Sequence, residues 1–80
     1  MKLGWVSIIT VYYNRVNYVV DSINSLINQT YSKKIIYIID DCSTDGTPER
    51  IISEFSNIKN LHIIKNTENK GLTKNLIDII

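Results

Sequence analysis

The chain has 80 residues, a formal net charge of +1, a hydrophobic content of 44% and one cysteine. A chain of this length forms one domain at most, and it buries only about 60–65% of the surface that its unfolded form exposes. Its lysines and arginines are scattered and give no basic patch for nucleic acid. No apolar run reaches the roughly 18 residues of a membrane span. Cys42, the single cysteine, excludes an internal disulfide and fits a reducing compartment. We therefore expect a cytoplasmic protein without a signal peptide.

The periodicity of apolar residues predicts alternating strands and helices. Residues 5–11 are mostly apolar and β-branched, which predicts a first strand. Residues 17–28 carry apolar side chains at helical spacing, with Asn17 as the predicted N-cap and Asp21 in the first turn. Residues 35–39, Ile-Ile-Tyr-Ile-Ile, predict a second strand that is buried on both faces, as is typical of a parallel sheet.

The second half of the chain repeats this alternation. Thr47-Pro48-Glu49 predicts a helix start, because Thr can cap, Pro is preorganised for the first helical position and Glu suits the first turn. This helix should end near residues 56–57, and residues 61–64 predict a third strand. A polar loop at 66–71 and a helix at 72–80 complete the prediction. The residues predicted to face inward from the second helix are Ile51, Ile52 and Phe55.

This β-α-β-α-β-α order predicts an α/β fold for the whole range 1–80, a Rossmann-like three-layer sandwich. Its parallel sheet should have strand order 3-2-1 with right-handed crossovers. The first strand would then have an unpaired edge despite an apolar composition, and such edges invite pairing with another chain. We expect the chain to be the front half of a larger fold or to form a homodimer through that strand.

Acidic residues follow the second strand directly, in the run Asp40-Asp41-Cys42-Ser43-Thr44-Asp45-Gly46-Thr47. Ligands of open α/β sheets bind at the carboxyl ends of strands, so this loop is a candidate site. Residues 41–46 also resemble the first half of a calcium loop, but Ile52 stands at the twelfth position, where that motif has Glu. A solvated turn with a helix cap is the alternative without a ligand.

The first strand ends in Val11-Tyr12-Tyr13-Asn14. If the first two strands are neighbours, an aromatic ring and a carboxylate face one crevice. The ring can stack on a base, and the carboxylate can accept an N–H from a base edge or bond a ribose hydroxyl. Packing in the core is the alternative role of Tyr13.

Together these segments resemble the amino-terminal part of a family 2 glycosyltransferase with the GT-A fold, over essentially the whole chain. The segments that carry the resemblance are residues 6–15, residues 22–31, residues 38–47 with the Asp-Asp-x-Ser-Thr-Asp-Gly-Thr block, and residues 69–72. Members of this family transfer a sugar from a nucleotide diphosphate, commonly UDP, to an acceptor, usually with Mg²⁺ or Mn²⁺. The chain departs from the family pattern at Val11-Tyr12, where Pro-Thr or Val-Thr is common, and at Cys42, where Gly is common.

The resemblance also implies residue roles. Val11 and Tyr13 would line the base pocket, with Tyr13 stacked on the base, and Asp41 would hydrogen-bond the base edge. Asp40 and Ser43 would shape the turn. The loop with Asn69 and Lys70 would approach the nucleotide, where the lysine offsets phosphate charge.

No catalytic residue and no metal ligand is assigned within the 80 residues. The family's Asp-x-Asp metal site and its catalytic base belong to segments after residue 80. The sequence thus predicts the nucleotide-binding half of a glycosyltransferase, inactive alone, that binds an NDP-sugar (a UDP-sugar) and an unknown acceptor. The alternative is a non-catalytic α/β module that acts through self-association or a partner.

Overall fold

A computed structural model describes residues 4–29 and 31–68. Three parallel strands form one sheet: β1 (Val6–Tyr12), β2 (Lys34–Asp40) and β3 (Leu61–Lys65). The order β1-β2-β3 is the predicted 3-2-1 order viewed from the opposite edge, so the predicted topology is confirmed. Each end of each strand lies within one residue of its predicted position, which is inside the usual uncertainty of strand boundaries.

Both described helices cover the same face of the sheet. α1 (Val19–Ile27) connects β1 to β2, and α2 (Thr47–Phe55) connects β2 to β3. Two right-handed crossovers that step in the same direction across a sheet place their helices on one side. The buried residues of this single core are Tyr12, Val19, Ile23, Ile36, Ile38, Ile51 and Phe55. The helix predicted at 72–80 lies outside the described residues.

The opposite face of the sheet is also apolar at its centre. Ile39 is only 1% exposed, and its neighbours in register are Val11 on β1 and Ile64 on β3. Further along the same face, the ring of Tyr37 stacks on the ring of His62, with centroids 5.2 Å apart. β2 therefore buries side chains on both faces, as the unbroken apolar run of its sequence predicts.

The predicted helix caps were wrong at both helices. α1 begins after Tyr18 rather than Asn17, because the backbone carbonyl of Arg15 accepts the N–H groups of Tyr18 and Val19 and a side-chain cap is not used. α2 is preceded by Gly46 at φ 92°, and Thr47 is its first residue. The glycine tolerates this left-handed conformation, which leaves the Thr47 hydroxyl available for a different bond.

The inward face of α2 was predicted correctly except at Ile52. Ile51 is fully buried and Phe55 is buried, whereas Ile52 is 47% exposed. Consecutive residues of a helix differ by about 100° in direction, so Ile51 and Phe55, four residues apart, share a face that Ile52 does not. None of the helices in the described ranges is sufficiently long and apolar to cross a membrane.

Candidate functional site

The carboxyl ends of β1 and β2 lie side by side at the same end of the sheet. Tyr12 is paired in register with Asp40, and the N–H of Asp41 donates to the carbonyl of Tyr12 at 2.8 Å. Tyr13 and Asp41 are therefore the first residues that leave the two strands. Both line one cavity of about 780 Å³, a volume in the range of small-molecule sites.

Tyr13 contributes an exposed ring to this cavity, with 46% of its surface accessible. Val11, two residues earlier on the same strand, also lines it. The Arg15 guanidinium donates through Nη1 to the carbonyls of Tyr13 and Asn14, each at 3.0 Å. The cavity thus combines an aromatic ring with a cation that is attached to the same loop.

Asp41 also lines this cavity, and the residue is only 3% exposed. Its Oδ1 accepts a hydrogen bond from Asn66 Nδ2 at 3.1 Å. Asn66 is itself held by β2, since its N–H donates to the carbonyl of Asp40 at 2.9 Å. The bond from Asn66 therefore holds the orientation of the Asp41 carboxylate, which offers about four acceptor positions on its two oxygens.

Asp40 and Ser43 bond to each other and are not part of the cavity lining. Asp40 is fully buried, and its two oxygens accept the Ser43 hydroxyl at 2.6 Å and the Ser43 N–H at 2.9 Å. These bonds close the turn after β2. Side-chain oxygens of Asp commonly bond the backbone a few residues later in such turns.

Several cavity residues were missed by the sequence analysis. Besides the strand residues Ile9, Thr10 and Tyr12, the lining includes Arg15, Tyr18 and Ser22. Tyr18 is 70% exposed, although its position before an amphipathic helix resembles that of a core residue. The lone cation directly after the Tyr-Tyr-Asn segment was the available signal for Arg15.

The hydroxyl of Tyr12 faces the helix side of the cavity, where it bonds the hydroxyl of Ser22 at 2.7 Å. Burial raises the pKa of Tyr12 above its usual value, and the bond to Ser22 opposes this shift in part. The phenol is therefore neutral at physiological pH and serves as a hydrogen-bonding wall. Two other predicted site residues, Asn69 and Lys70, lie outside the described residues.

The described ranges contain no group of three His, Cys, Asp or Glu side chains that is placed to hold a metal ion. In the acidic loop, Asp45 accepts bonds from Thr47 and from the N–H of Val16, and Asp41 accepts one from Asn66. Both carboxylates thus have protein partners, and the calcium-loop alternative gains no support from residues 4–29 and 31–68.

Comparison with known proteins agrees with the geometry of the strand ends. Residues 7–80 match the family model described as Glycosyl transferase family 2. The chain belongs to this family. The match covers both strand-end segments and both loops that form the cavity.

Three curated relatives are glycosyltransferases by name. TuaG of Bacillus subtilis (strain 168), named for teichuronic acid biosynthesis, is 37% identical over 67 residues, 82% of this chain. An uncharacterised glycosyltransferase of Haemophilus influenzae is 42% identical over 72 residues, 89% of this chain. The bifunctional glycosyltransferase pgtA of Dictyostelium discoideum is 35% identical over 69 residues, 85% of this chain. The matched region spans 26%, 22% and 9% of these relatives, respectively, so the chain corresponds to about a quarter of their length or less.

Proposed function

We propose that this family 2 glycosyltransferase chain binds the nucleotide of an NDP-sugar, specifically a UDP-sugar, for transfer of the sugar to an acceptor. One observation carries the proposal: Tyr13 and Asp41 line the same cavity at the carboxyl ends of adjacent parallel strands. That edge is where open α/β sheets bind ligands. A ring and an oriented carboxylate in one cavity suit a flat base that carries an N–H on its edge.

Within the proposed complex, Tyr13 stacks on the uracil ring and Asp41 accepts the imide N–H. Val11 packs beside the base, while Asp40 and Ser43 hold the turn from which Asp41 projects. Stacking of a base on an aromatic side chain contributes about 1–3 kcal/mol, and a hydrogen bond to a charged group contributes about 1.5–3 kcal/mol. These two contacts would account for most of the affinity for the base.

Arg15 lines the cavity, and we propose that it compensates diphosphate charge together with Lys70, while Asn69 would approach the nucleotide. Two of the Arg15 N–H groups hold loop carbonyls, and the guanidinium carries five donors in total. An Arg fork suits the geometry of phosphate oxygens.

The Mg²⁺ or Mn²⁺ that accompanies such donors in the family finds no three-residue ligand group in the described ranges, so its ligands would have to come from other residues. No described residue is assigned as a catalytic base. We therefore propose that these residues bind the donor and that sugar transfer requires groups beyond them. The acceptor is unassigned. A cytoplasmic location is proposed because the lone Cys42 has no cysteine partner and suits a reducing compartment.

Calorimetric titration of the protein with UDP tests the proposal. We compare the wild type with Tyr13→Ala and Asp41→Ala, and use Tyr31→Ala as a matched control. Tyr31 is 48% exposed, close to the 46% of Tyr13, but it lies near the opposite, amino-terminal end of β1 and β2, where its hydroxyl bonds the carbonyl of Gly4. We expect both site variants to lose affinity and the control to keep it.

Unchanged UDP affinity in both site variants would remove the assignment. Equal losses in the site variants and in Tyr31→Ala would indicate a general loss of structure instead. Circular dichroism of each variant distinguishes these two cases, because a folded variant with weak binding has lost only the contact.

A second candidate function is self-association through the outer edge of β1. The N–H of Val6 and the carbonyl of Tyr12 bond toward β2, so the alternate residues Ser7, Ile9 and Val11 direct their backbone groups outward. In the described part of the chain, no strand pairs with this edge. Unpaired apolar edges promote strand addition from another chain.

The two candidates give different results in solution. A homodimer formed by β1 shows a mass that rises with concentration in light scattering, and a Val11→Pro substitution removes an outward N–H and abolishes the dimer. A monomer at all concentrations that shows UDP-induced NMR shifts supports nucleotide binding alone.

A further inference from the structure

The loop between β1 and α1 (residues 13–18) is bonded along its backbone to side chains of the loop between β2 and α2 and of the helix start. Three consecutive N–H groups donate to oxygens of that segment: Asn14 to Ser43 Oγ at 2.9 Å, Arg15 to Thr47 Oγ1 at 2.9 Å, and Val16 to Asp45 Oδ2 at 3.2 Å. The contacts connect residues about 30 positions apart in sequence, so they depend on the tertiary fold. We call these three bonds the interloop clamp.

The two hydroxyls of the clamp are oriented by carboxylates. Ser43 donates its hydroxyl hydrogen to Asp40, and Thr47 donates its hydroxyl hydrogen to Asp45. Each hydroxyl oxygen therefore presents its lone pairs to the β1–α1 loop. Bonds in such a chain polarise one another and strengthen the acceptor.

A reciprocal bond completes the connection at Asn14. Its Oδ1 accepts the N–H of Thr44 at 2.8 Å, and its backbone has φ 51°, a left-handed conformation that Asn tolerates better than most residues. Tyr13 is therefore fixed on both sides, by the end of β1 before it and by Asn14 after it. The clamp therefore holds the backbone from which the exposed Tyr13 ring projects into the cavity.

We propose that Thr47 and Asp45 are positioning residues for nucleotide binding, which act through the interloop clamp by holding Tyr13 in its base-stacking orientation. This inference rests on the proposed nucleotide function of the cavity. Neither residue lines the cavity. Because they hold the loop before the base binds, the loop loses less conformational entropy on binding, which is the physical basis of preorganisation.

Thr47→Val tests the proposal, because it keeps the shape of the side chain and removes the hydroxyl that accepts the Arg15 N–H and donates to Asp45. We expect UDP binding to weaken about fivefold, the effect of one ordinary hydrogen bond. Thr47→Ser keeps a hydroxyl at this position, so its affinity for UDP should be close to that of the wild type. Thr44→Val is the matched control, since the Thr44 side chain is exposed and the bond of this residue to Asn14 uses its backbone N–H, which the substitution keeps.

A double-mutant cycle with Tyr13→Ala separates positioning from general destabilisation. If Thr47 acts through Tyr13, Thr47→Val should change UDP affinity by less than about twofold when the ring is absent. A full fivefold loss in the Tyr13→Ala background would overturn the proposal. Asp45→Asn, at an exposed position, provides a second variant with the same expected coupling if Thr47→Val does not fold.

NMR of the ligand-free protein gives a readout that does not depend on binding. Thr47→Val should accelerate exchange of the Arg15 amide and increase the mobility of the Tyr13 ring, and Thr44→Val should do neither. Absence of UDP binding in the wild type contradicts the proposed function. In that case the spectra alone decide whether the interloop clamp holds Tyr13. An unchanged Tyr13 ring in Thr47→Val overturns the inference in either case.

Discussion

Replacing Asp41 by Asn should change which base the cavity prefers. The substitution conserves the shape of the side chain and leaves the backbone bond from the Asp41 N–H to Tyr12 intact. Asn66 donates to Oδ1 of Asp41 through Nδ2, so we expect the oxygen of the new amide to occupy the Oδ1 position beside Asn66. Its NH₂ group then replaces Oδ2, the oxygen that would accept the base N–H in the proposed complex.

The magnitude follows from the bond that is lost. Uracil carries an N–H at position 3 of its ring, and this donor would meet the NH₂ donor of the variant. Loss of a hydrogen bond to a charged acceptor costs about 1.5–3 kcal/mol, which corresponds to roughly 10- to 150-fold weaker UDP binding. Cytosine has an acceptor at the same ring position, so CDP should gain about one neutral hydrogen bond, or roughly fivefold in affinity.

The assay is calorimetric titration of the wild type and Asp41→Asn with UDP and with CDP under identical salt conditions. Asp21→Asn provides the control, because it makes the same charge change at an exposed position in the first turn of α1. We expect the wild type to prefer UDP, the Asp41→Asn variant to prefer CDP, and the control to behave as the wild type.

The ratio of the two affinities is the decisive quantity. If Asp41→Asn weakens UDP and CDP binding by the same factor, Asp41 does not read the base edge, and its contribution is a general electrostatic one. If neither affinity changes, the base does not contact Asp41 at all, and the orientation derived from Asn66 is irrelevant to binding.

Three further predictions concern stability and protonation. Ile51→Ala should lower the free energy of unfolding by about 2–5 kcal/mol in urea titrations, whereas the adjacent, exposed Ile52→Ala should change it by less than about 0.5 kcal/mol; equal effects would contradict the orientation of α2. Tyr12→Phe should destabilise the fold by about 1 kcal/mol through loss of the hydroxyl bond to α1, and an unchanged urea midpoint would contradict a contribution from that bond. The bond from Thr47 lowers the pKa of Asp45, so a carboxyl-detected NMR titration should find a midpoint below the usual Asp value and Thr47→Val should raise it. Because the folded-state pKa is depressed, this carboxylate stabilises the fold above about pH 4, and its contribution is lost as the pH falls through the folded value; an ordinary midpoint in the wild type would refute the assignment.

The order of strands and helices could be predicted because each element carries its own periodic signal. The run at residues 35–39 indicates burial on both faces, and the spacing of Val19 and Ile23 indicates a helix with one apolar side. Helix caps were predicted less well, since a cap competes with every other partner of the same hydroxyl. Thr47 is the example: its local sequence favours a cap, but the bonds to Asp45 and Arg15 use its hydroxyl.

The site was predictable in part for the same reason. Tyr13 and Asp41 follow directly from two predicted strand ends, and parallel pairing places those ends together. Arg15 and Tyr18 could not be assigned from spacing, because their contribution depends on how the loop between β1 and α1 folds back over the strand edge.

The sequence by itself determined the α/β class, the parallel topology and the family of this chain, because periodicity and short motifs are properties of neighbouring residues. Only the tertiary structure decided which polar groups meet across about 30 residues of sequence: the bonds of Asn14, Arg15 and Val16 to the second loop, and the bond that orients Asp41 through Asn66. Each of these donors had many possible acceptors in the extended chain. Packing of α1 and α2 on one face of the sheet brings the two loops together and selects the partners.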